Sequence, residues 1–232
     1  MSFTNWASRR GCRFVLTLAA ILSSALLSNS LWAAEPAASP WEKEIRAFEA
    51  NDKQQPPPEG AVLFVGSSSI RLWKLDESFP NLKTINRGFG GSHLADSVAF
   101  AERIVIPYRP KLVVLYAGDN DLAAGKTPAR VLADFKQFVA KVEAALPETR
   151  IAFISIKPCP KRWALVDRVR ETNASIAEFI SRDERLRYID IFPPMLGADG
   201  QPRAELFRED GLHLNAAGYK LWAEVLRPTL EE

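Results

Sequence analysis

Five short apolar runs separated by amphipathic segments are the feature that most constrains the fold of this chain. The runs have the length of β-strands and lie at residues 61–66, 82–88, 111–118, 150–156 and 185–191. The third and fourth runs are apolar almost throughout, as expected of strands that are covered on both faces. Strands that alternate with helices favour a parallel sheet. The sequence therefore predicts an α/β fold in which a five-stranded parallel sheet carries helices on both faces.

Three helical patterns follow the third, fourth and fifth apolar runs. The clearest spans residues 127–146, where Thr127 can cap the N-terminus and Pro128 suits the first helical position. Its apolar side chains recur at steps of three and four residues, which is the spacing of one helix face. A second pattern spans residues 162–181, and a third begins at Asn215, which can also cap a helix. Since no internal repeat or second domain is evident, we predict one domain over residues 61–232.

The first part of the chain has the composition of an export signal. Arg9, Arg10 and Arg13 precede an uncharged run at residues 14–27, and small residues follow that run. The run is shorter than the roughly 20 residues that span a bilayer comfortably. We therefore expect residues 1–34 to be a signal peptide that is cleaved on export, with an uncleaved anchor as the alternative. The mature domain is then expected to be periplasmic or secreted, without stable membrane insertion.

Charge and cysteine content narrow the possible partners. The sequence has 30 Lys and Arg, so loss of the three arginines before residue 34 leaves 27 against 28 Asp and Glu, with no basic stripe. This balance gives no reason to expect a nucleic-acid partner. Cys159 is the one cysteine outside residues 1–34, so the mature chain can form no intramolecular disulfide, and we interpret Cys159 as a structural thiol. We expect no metal and no organic cofactor. The sequence leaves the oligomeric state open.

Residues 35–60 differ in composition from the segment that follows them. A short helical pattern at residues 40–50 is followed by a polar stretch with three consecutive prolines, Pro56 to Pro58. Prolines donate no backbone hydrogen bond and favour extended backbone. We therefore expect an N-terminal helix and a proline-rich linker before the main domain.

Parallel α/β sheets bind their ligands beyond the carboxyl ends of the strands. We therefore expect binding or catalytic residues in the segments that follow the apolar runs. A serine triplet, Ser67 to Ser69, follows the first run. It has three interpretations: a capped turn that ends the strand, a phosphate-binding loop, or the position of a nucleophile. The triplet alone does not decide between them.

The second of two histidines favours the nucleophile. His213 follows Asp210 by three residues, so the carboxylate could orient one ring nitrogen while the other accepts a proton from a serine. The alternative is that Asp210 caps a turn and His213 packs against Trp222. His93 has no acid at a comparable spacing, and we interpret it as a partly exposed residue at a helix start. A metal site built from Asp119, Asp121, Asp210 and His213 matches no spacing template that we know.

Four sequence blocks then resemble the GDSL-type esterases and lipases, also called the SGNH hydrolase superfamily, over residues 62–228. The blocks are FVGSSSI, NRGFGGSHLAD, YAGDND and DGLHLNAAGY, in this order along the chain. The resemblance implies Ser68 as nucleophile, with Asp210 and His213 completing a catalytic triad. It also implies an oxyanion hole formed by Ser68, Gly91 and Asn120. Gly91 and Asn120 are suited to this role because glycine permits close approach and an amide donor does not titrate.

The resemblance also implies a fold and an activity. The family fold is similar to the three-layer α/β/α sandwich of flavodoxin, which agrees with the predicted parallel sheet. The implied activity is hydrolysis of small or short-acyl esters without a cofactor, with O-acetylated sugars as one substrate class. A lysophospholipase or thioesterase is an alternative within the family. A non-catalytic flavodoxin-like protein that binds phosphate or carbohydrate is the alternative outside it. Ser67 departs from the family pattern, since it stands where an aspartate is usual.

Overall fold

A five-stranded, all-parallel sheet forms the centre of the protein. The computed structural model describes residues 39–231, so the predicted signal peptide at residues 1–34 lies outside the described residues. The strand order is β2-β1-β3-β4-β5, which is the flavodoxin-like order, and it confirms the predicted α/β fold. The strands are β1 Val62–Gly66, β2 Thr84–Gly88, β3 Leu112–Tyr116, β4 Arg150–Ile154 and β5 Leu186–Ile189.

Helices cover both faces of the sheet and complete the three layers. In the described part of the chain they are α1 Glu42–Gln54, α2 Ser68–Arg71, α3 Leu75–Ser78, α4 Leu94–Ile104, α5 Asp119–Ala123, α6 Pro128–Ala145, α7 Val166–Ile180 and α8 Ala216–Glu231. One core cluster joins α1, α4, α6 and α7 to one face of the sheet. A second cluster joins α2, α3 and α8 to the opposite face. Within residues 39–231, no helix has the length and apolar character needed to cross a membrane.

The predicted caps form at two of the long helices. The hydroxyl of Thr127 accepts a hydrogen bond from the backbone N–H of Arg130 at 3.2 Å, directly before α6. The side-chain oxygen of Asn215 accepts one from the backbone N–H of Gly218 at 3.1 Å, directly before α8. Each cap gives a partner to a backbone donor that the first helical turn would otherwise leave unpaired.

The helix predicted over residues 162–181 divides into two parts. A 3₁₀ segment spans Pro160–Leu165, and the α-helix begins only at Val166. Within the 3₁₀ segment, the backbone of Arg162 leaves helical geometry, with φ −123° and ψ 21°. The physical reason is tertiary, because the side chain of Arg162 makes a hydrogen bond to Asn120 and an ion pair with Asp119, both outside its own segment.

The N-terminal helix is longer than predicted and packs against the main domain. It begins at Glu42 and continues to Gln54, past the predicted end at residue 50. Its Ile45 is fully buried in the core cluster on the α4 side of the sheet. Arg103 on α4 pairs with Glu42 at 2.8 Å and with Glu49 at 2.7 Å. Residues 39–54 therefore belong to the same compact unit as the sheet.

Candidate active site

The serine triplet forms the tight connection between β1 and α2. Gly66 has a φ of +134°, and a Cβ atom there would lie 1.9 Å from the carbonyl oxygen of Tyr116, so only glycine fits. Ser67 and Ser69 are buried, at 0% and 1% exposure, whereas Ser68 is partly exposed. The triplet therefore presents one hydroxyl to solvent, not three.

The exposed hydroxyl faces His213. The distance from Ser68 Oγ to His213 Nε2 is 3.2 Å, and the distance from His213 Nδ1 to Asp210 Oδ2 is 2.6 Å. With the Nδ1 proton donated to Asp210, Nε2 is left as an acceptor for the serine hydroxyl. The structure thus brings together the serine, histidine and aspartate that the sequence singled out, although 145 residues separate the first two.

Asp210 both caps its turn and contacts the imidazole. Its Oδ1 accepts hydrogen bonds from the backbone N–H groups of Leu212 and His213, each at 2.9 Å, while Oδ2 is left for the ring. The hydrogen bond from the His213 ring, followed by these backbone N–H groups, holds the pKa of Asp210 well below its usual range. The side chain therefore stays ionised and fixed in direction over the ordinary pH range.

The turn after β2 carries Gly91 at the rim of the same site. Gly91 is exposed with φ +79°. The Nε1–H of Trp41 donates to the carbonyl of Gly90 at 2.8 Å. On the other side, the hydroxyl of Ser92 donates to the carbonyl of Phe89 at 2.8 Å. The turn is therefore held on both sides of Gly91, while Gly91 itself remains open to solvent.

Asn120, at the start of α5, has its amide orientation fixed by two hydrogen bonds. Its Nδ2 donates to the carbonyl of Ser92 at 3.1 Å, and its Oδ1 accepts from Nη2 of Arg162 at 2.9 Å. One of the two Nδ2 protons thus remains available to a ligand. The bond to Arg162 polarises the amide and makes that proton a better donor.

A buried ammonium group lies beneath these loops. Lys157, 2% exposed, donates to Asp119 Oδ2 at 2.8 Å, to the Tyr116 hydroxyl at 3.0 Å and to Ser69 Oγ at 3.3 Å. Burial alone would raise the pKa of Asp119, but the Lys157 ammonium and the Arg162 guanidinium outweigh it and lower that pKa. Burial likewise opposes the charge on Lys157, yet the Asp119 carboxylate raises the pKa of Lys157 above its ordinary value. Both groups therefore stay charged.

This ammonium connects two segments of the candidate site. Ser69 follows Ser68 along the chain, and Asp119 precedes Asn120, so Lys157 fixes the neighbours of both residues. Sequence reasoning missed Lys157, Arg162 and Trp41, because each acts through a residue distant in sequence. A lysine directly after an almost wholly apolar strand was the one available signal, since such a position is buried and a buried lysine requires a partner.

Replacing Lys157 by methionine should destabilise the protein by about 3–5 kcal/mol, because the Asp119 carboxylate would remain buried without its ammonium partner. Urea denaturation of Lys157→Met, Asp119→Asn and the double variant measures this coupling. We expect the double variant to lose less stability than the sum of the two single losses. Additive losses would show that the pair is not coupled.

The remaining candidates have structural roles. His93 caps α4, and its backbone N–H donates to Asp96 Oδ2 at 2.7 Å. Cys159 is buried in the core, where burial raises the pKa of its thiol. Asp121 accepts from the backbone N–H of Leu94 and from Lys126. Across residues 39–231, no three His, Cys, Asp or Glu side chains cluster in a way that could hold a metal ion.

The sequence model of the GDSL-like Lipase/Acylhydrolase family matches residues 70–221, which is more than half of the chain. The chain belongs to the GDSL-like family. Membership confirms the resemblance drawn from the four blocks, and with it the hydrolase class. The matched region includes Gly91, Asn120, Asp210 and His213, and it begins two residues after Ser68. No curated protein sequence matches the chain.

Solved structures share the fold of this GDSL-like protein. A protein from Streptococcus pneumonia, provisionally described as a platelet activating factor, has a TM-score of 0.73 and 23% identity, covering 81% of this chain and 92% of its own. A GDSL-like lipase from Bacteroides thetaiotaomicron has a TM-score of 0.70 and 19% identity, covering 81% and 97%. A carbohydrate esterase family 3 protein from Talaromyces cellulolyticus has a TM-score of 0.58 and 18% identity, and the match covers 73% of this chain and 95% of its own. At these identities the likeness concerns the fold.

Proposed function

We propose that this GDSL-like protein is a serine ester hydrolase that acts on small or short-acyl esters through an acyl-enzyme at Ser68. The observation that carries the proposal is the continuous chain of contacts from the Ser68 hydroxyl through His213 to Asp210, at 3.2 Å and 2.6 Å. A serine in such an arrangement has a base within reach of its proton, and the base has an orienting carboxylate.

In the first half of the proposed reaction, Nε2 of His213 takes the hydroxyl proton as Ser68 Oγ bonds to the acyl carbonyl carbon. Asp210 holds the ring in the required tautomer and stabilises the imidazolium that forms. The imidazolium then gives its proton to the departing alcohol, which leaves an acyl ester on Ser68. Water enters, His213 takes a proton from it, and the reverse sequence releases the acid.

The negative charge that develops on the carbonyl oxygen needs donors that are already in place. In our proposal these are the backbone N–H groups of Ser68 and Gly91 and the free Nδ2 proton of Asn120. Two features support this assignment: Trp41 holds the turn before Gly91, and Arg162 fixes the amide of Asn120. Since the donors are oriented before substrate arrives, little reorganisation is required during the reaction.

We infer a preference for small esters from the surroundings of Ser68. The loops that follow β1, β2 and β3 are short. A groove of about 570 Å³ lies between residues 72–78 and α8, with Leu72 and Trp73 on one wall and Tyr219 and Ala223 on the other, and its lining includes none of the triad residues. Charged side chains also line this groove, among them Lys74 and Glu77, so it offers no long apolar channel for a fatty chain. The shared fold with a carbohydrate esterase is consistent with O-acetylated sugars as substrates.

A series of 4-nitrophenyl esters with acyl chains of two to sixteen carbons tests the proposal. We expect kcat/KM to be highest for two to four carbons and to fall as the chain lengthens, because the site lacks an extended apolar surface. A maximum at long chains would favour a lipase or lysophospholipase. Absence of turnover together with saturable binding of phosphate or sugar would favour a non-catalytic binding protein.

We also propose that the enzyme works outside the cytoplasm, on the basis of the export pattern at residues 1–34. Expression of the full chain in a Gram-negative host, followed by fractionation and N-terminal sequencing, tests this. We expect the protein in the periplasmic fraction with a new N-terminus near residue 34. Full-length protein in the cytoplasmic fraction would contradict it.

A further inference from the structure

Arg71 lies beside the proposed nucleophile but has no place in the proposed reaction. It is the last residue of α2, three positions after Ser68, so the two side chains lie on the same face of that helix. The backbone of Arg71 is packed directly against the end of β2. The contact is so close that a Cβ atom on Gly88 would lie only 2.2 Å from the backbone nitrogen of Arg71. In addition, Nδ2 of Asn86 donates to the carbonyl of Ile70 at 2.8 Å. The side chain of Arg71 therefore extends from a rigid base next to Ser68.

The guanidinium of Arg71 extends towards the turn that carries Gly91. It lies against Gly90, where an added Cβ atom would be 2.8 Å from Cζ and 2.9 Å from Nη2 of Arg71. Gly91, the proposed oxyanion donor, is the next residue along the chain. An ester bound with its carbonyl between Ser68 and Gly91 would therefore place its neighbouring groups near this cation.

The donors of this guanidinium are unused. Arg71 is exposed, and within residues 39–231 its side chain makes no hydrogen bond or ion pair. Arg162, the other guanidinium of the site, is by contrast engaged with Asn120 at 2.9 Å and with Asp119 at 3.2 Å. Asp210, the carboxylate of the proposed triad, is engaged with His213. Arg71 is thus a cation on a rigid backbone next to the reacting groups, without a described anionic partner.

We propose that Arg71 forms a subsite for an anionic group, a carboxylate or a phosphate, carried by the ester substrate close to its acyl carbonyl. The planar guanidinium suits this role because it can give two parallel hydrogen bonds to a carboxylate or phosphate. The inference rests on the proposed ester hydrolysis and adds a substrate class to it: esters that bear a negative charge on the acyl or the alcohol part near the scissile bond.

Two pairs of esters test the subsite, and in each pair a carboxylate of one member is replaced by its neutral methyl ester in the other. The alcohol-side pair is 4-acetoxybenzoate and its methyl ester. The acyl-side pair is the 4-nitrophenyl half-ester of adipate and its methyl ester. The measured quantity is the ratio of kcat/KM for the anionic ester to that for the neutral ester, so differences in intrinsic reactivity cancel when variants are compared.

We expect Arg71→Gln to lower this ratio about tenfold in at least one pair, because a charge-assisted hydrogen bond is lost. The pair that responds shows whether the anion belongs to the acyl or the alcohol part. Arg71→Lys keeps the charge but cannot give two parallel hydrogen bonds, so its ratio should fall between those of the wild type and Arg71→Gln. Arg182→Gln is the matched control, since it removes an exposed guanidinium that pairs with Glu178 away from the site, and its ratio should equal that of the wild type.

An unchanged ratio in both pairs for Arg71→Gln would overturn the subsite, and so would an equal fall for Arg182→Gln, which would indicate a general effect of surface charge. A wild-type protein that hydrolyses none of the four esters would instead refute the proposed function. The two failures are therefore distinguishable. Thermal unfolding of each variant shows that the ratios are compared between folded proteins.

Discussion

Ser68→Ala is expected to lower kcat for 4-nitrophenyl acetate by about 10⁴-fold or more, because nucleophilic catalysis is lost while substrate can still bind. The neighbouring serines supply matched controls within the same turn. Ser67→Ala and Ser69→Ala should each stay within about tenfold of the wild type, since their hydroxyls are buried at 0% and 1% exposure. Initial rates measured beside thermal unfolding curves separate a catalytic defect from a folding defect.

Ser67→Ala carries a second expectation that concerns stability. Its hydroxyl is buried and has no hydrogen-bond partner among the described residues, so its removal should be neutral or stabilising. The family's usual aspartate at this position would have to be buried there, with a greater need for a partner. Loss of turnover in Ser67→Ala or Ser69→Ala with full activity in Ser68→Ala would reassign the nucleophile.

His213→Ala should cost about as much as loss of the serine, because the hydroxyl is a poor nucleophile without a base. The double variant shows whether the two side chains act together. Since Ser68 and His213 act as one unit, Ser68→Ala/His213→Ala should be no slower than either single variant, and the logarithms of the losses should not add. Steady-state rates of the two single variants and the double variant measure this. Additive losses would mean that the two side chains act independently.

Much of the fold follows from local sequence patterns. The five apolar runs contain β1 to β5. The inner strands β1, β3 and β4 are apolar almost throughout because both of their faces are covered, whereas the edge strands β2 and β5 also carry partly exposed polar side chains. The caps at Thr127 and Asn215 are local as well, since each hydroxyl or amide binds a backbone N–H three residues away. Patterns of this kind depend on neighbouring residues only, and a single sequence contains them.

The errors arose where tertiary contacts override local preference. The segment at residues 162–165 has a helical pattern, yet Arg162 leaves helical geometry, and its side chain binds Asn120 and Asp119. The proline-rich stretch favoured a linker after residue 50, yet α1 continues to Gln54, where Asp52 pairs with the buried Arg87 of β2. No local rule gives partners that lie more than thirty residues away.

The residues of the candidate site also fall into two groups, those that the sequence could identify and those that it could not. The blocks at Ser68, Gly91, Asn120, Asp210 and His213 are short motifs at strand ends, so the sequence could nominate them. The side chains that hold these motifs in place were not predictable, because they come from distant parts of the chain. Trp41 binds the carbonyl of Gly90, 49 residues away, and Lys157 binds the hydroxyl of Ser69, 88 residues away. The register of the motif pointed to Ser68 within the triplet, and the structure adds a physical reason, because Ser68 is the member whose hydroxyl is exposed and faces His213.

Covalent labelling with a fluorophosphonate, followed by peptide mass spectrometry, tests the central proposal most directly. Such probes phosphonylate a serine that a neighbouring base activates, and they do so irrespective of the natural ester. We predict one adduct, on Ser68, formed by the wild type and Arg71→Gln and absent from His213→Ala. An adduct on Ser67 or Ser69 would contradict the assignment of the nucleophile, and no adduct on the folded wild-type protein would contradict the serine hydrolase itself.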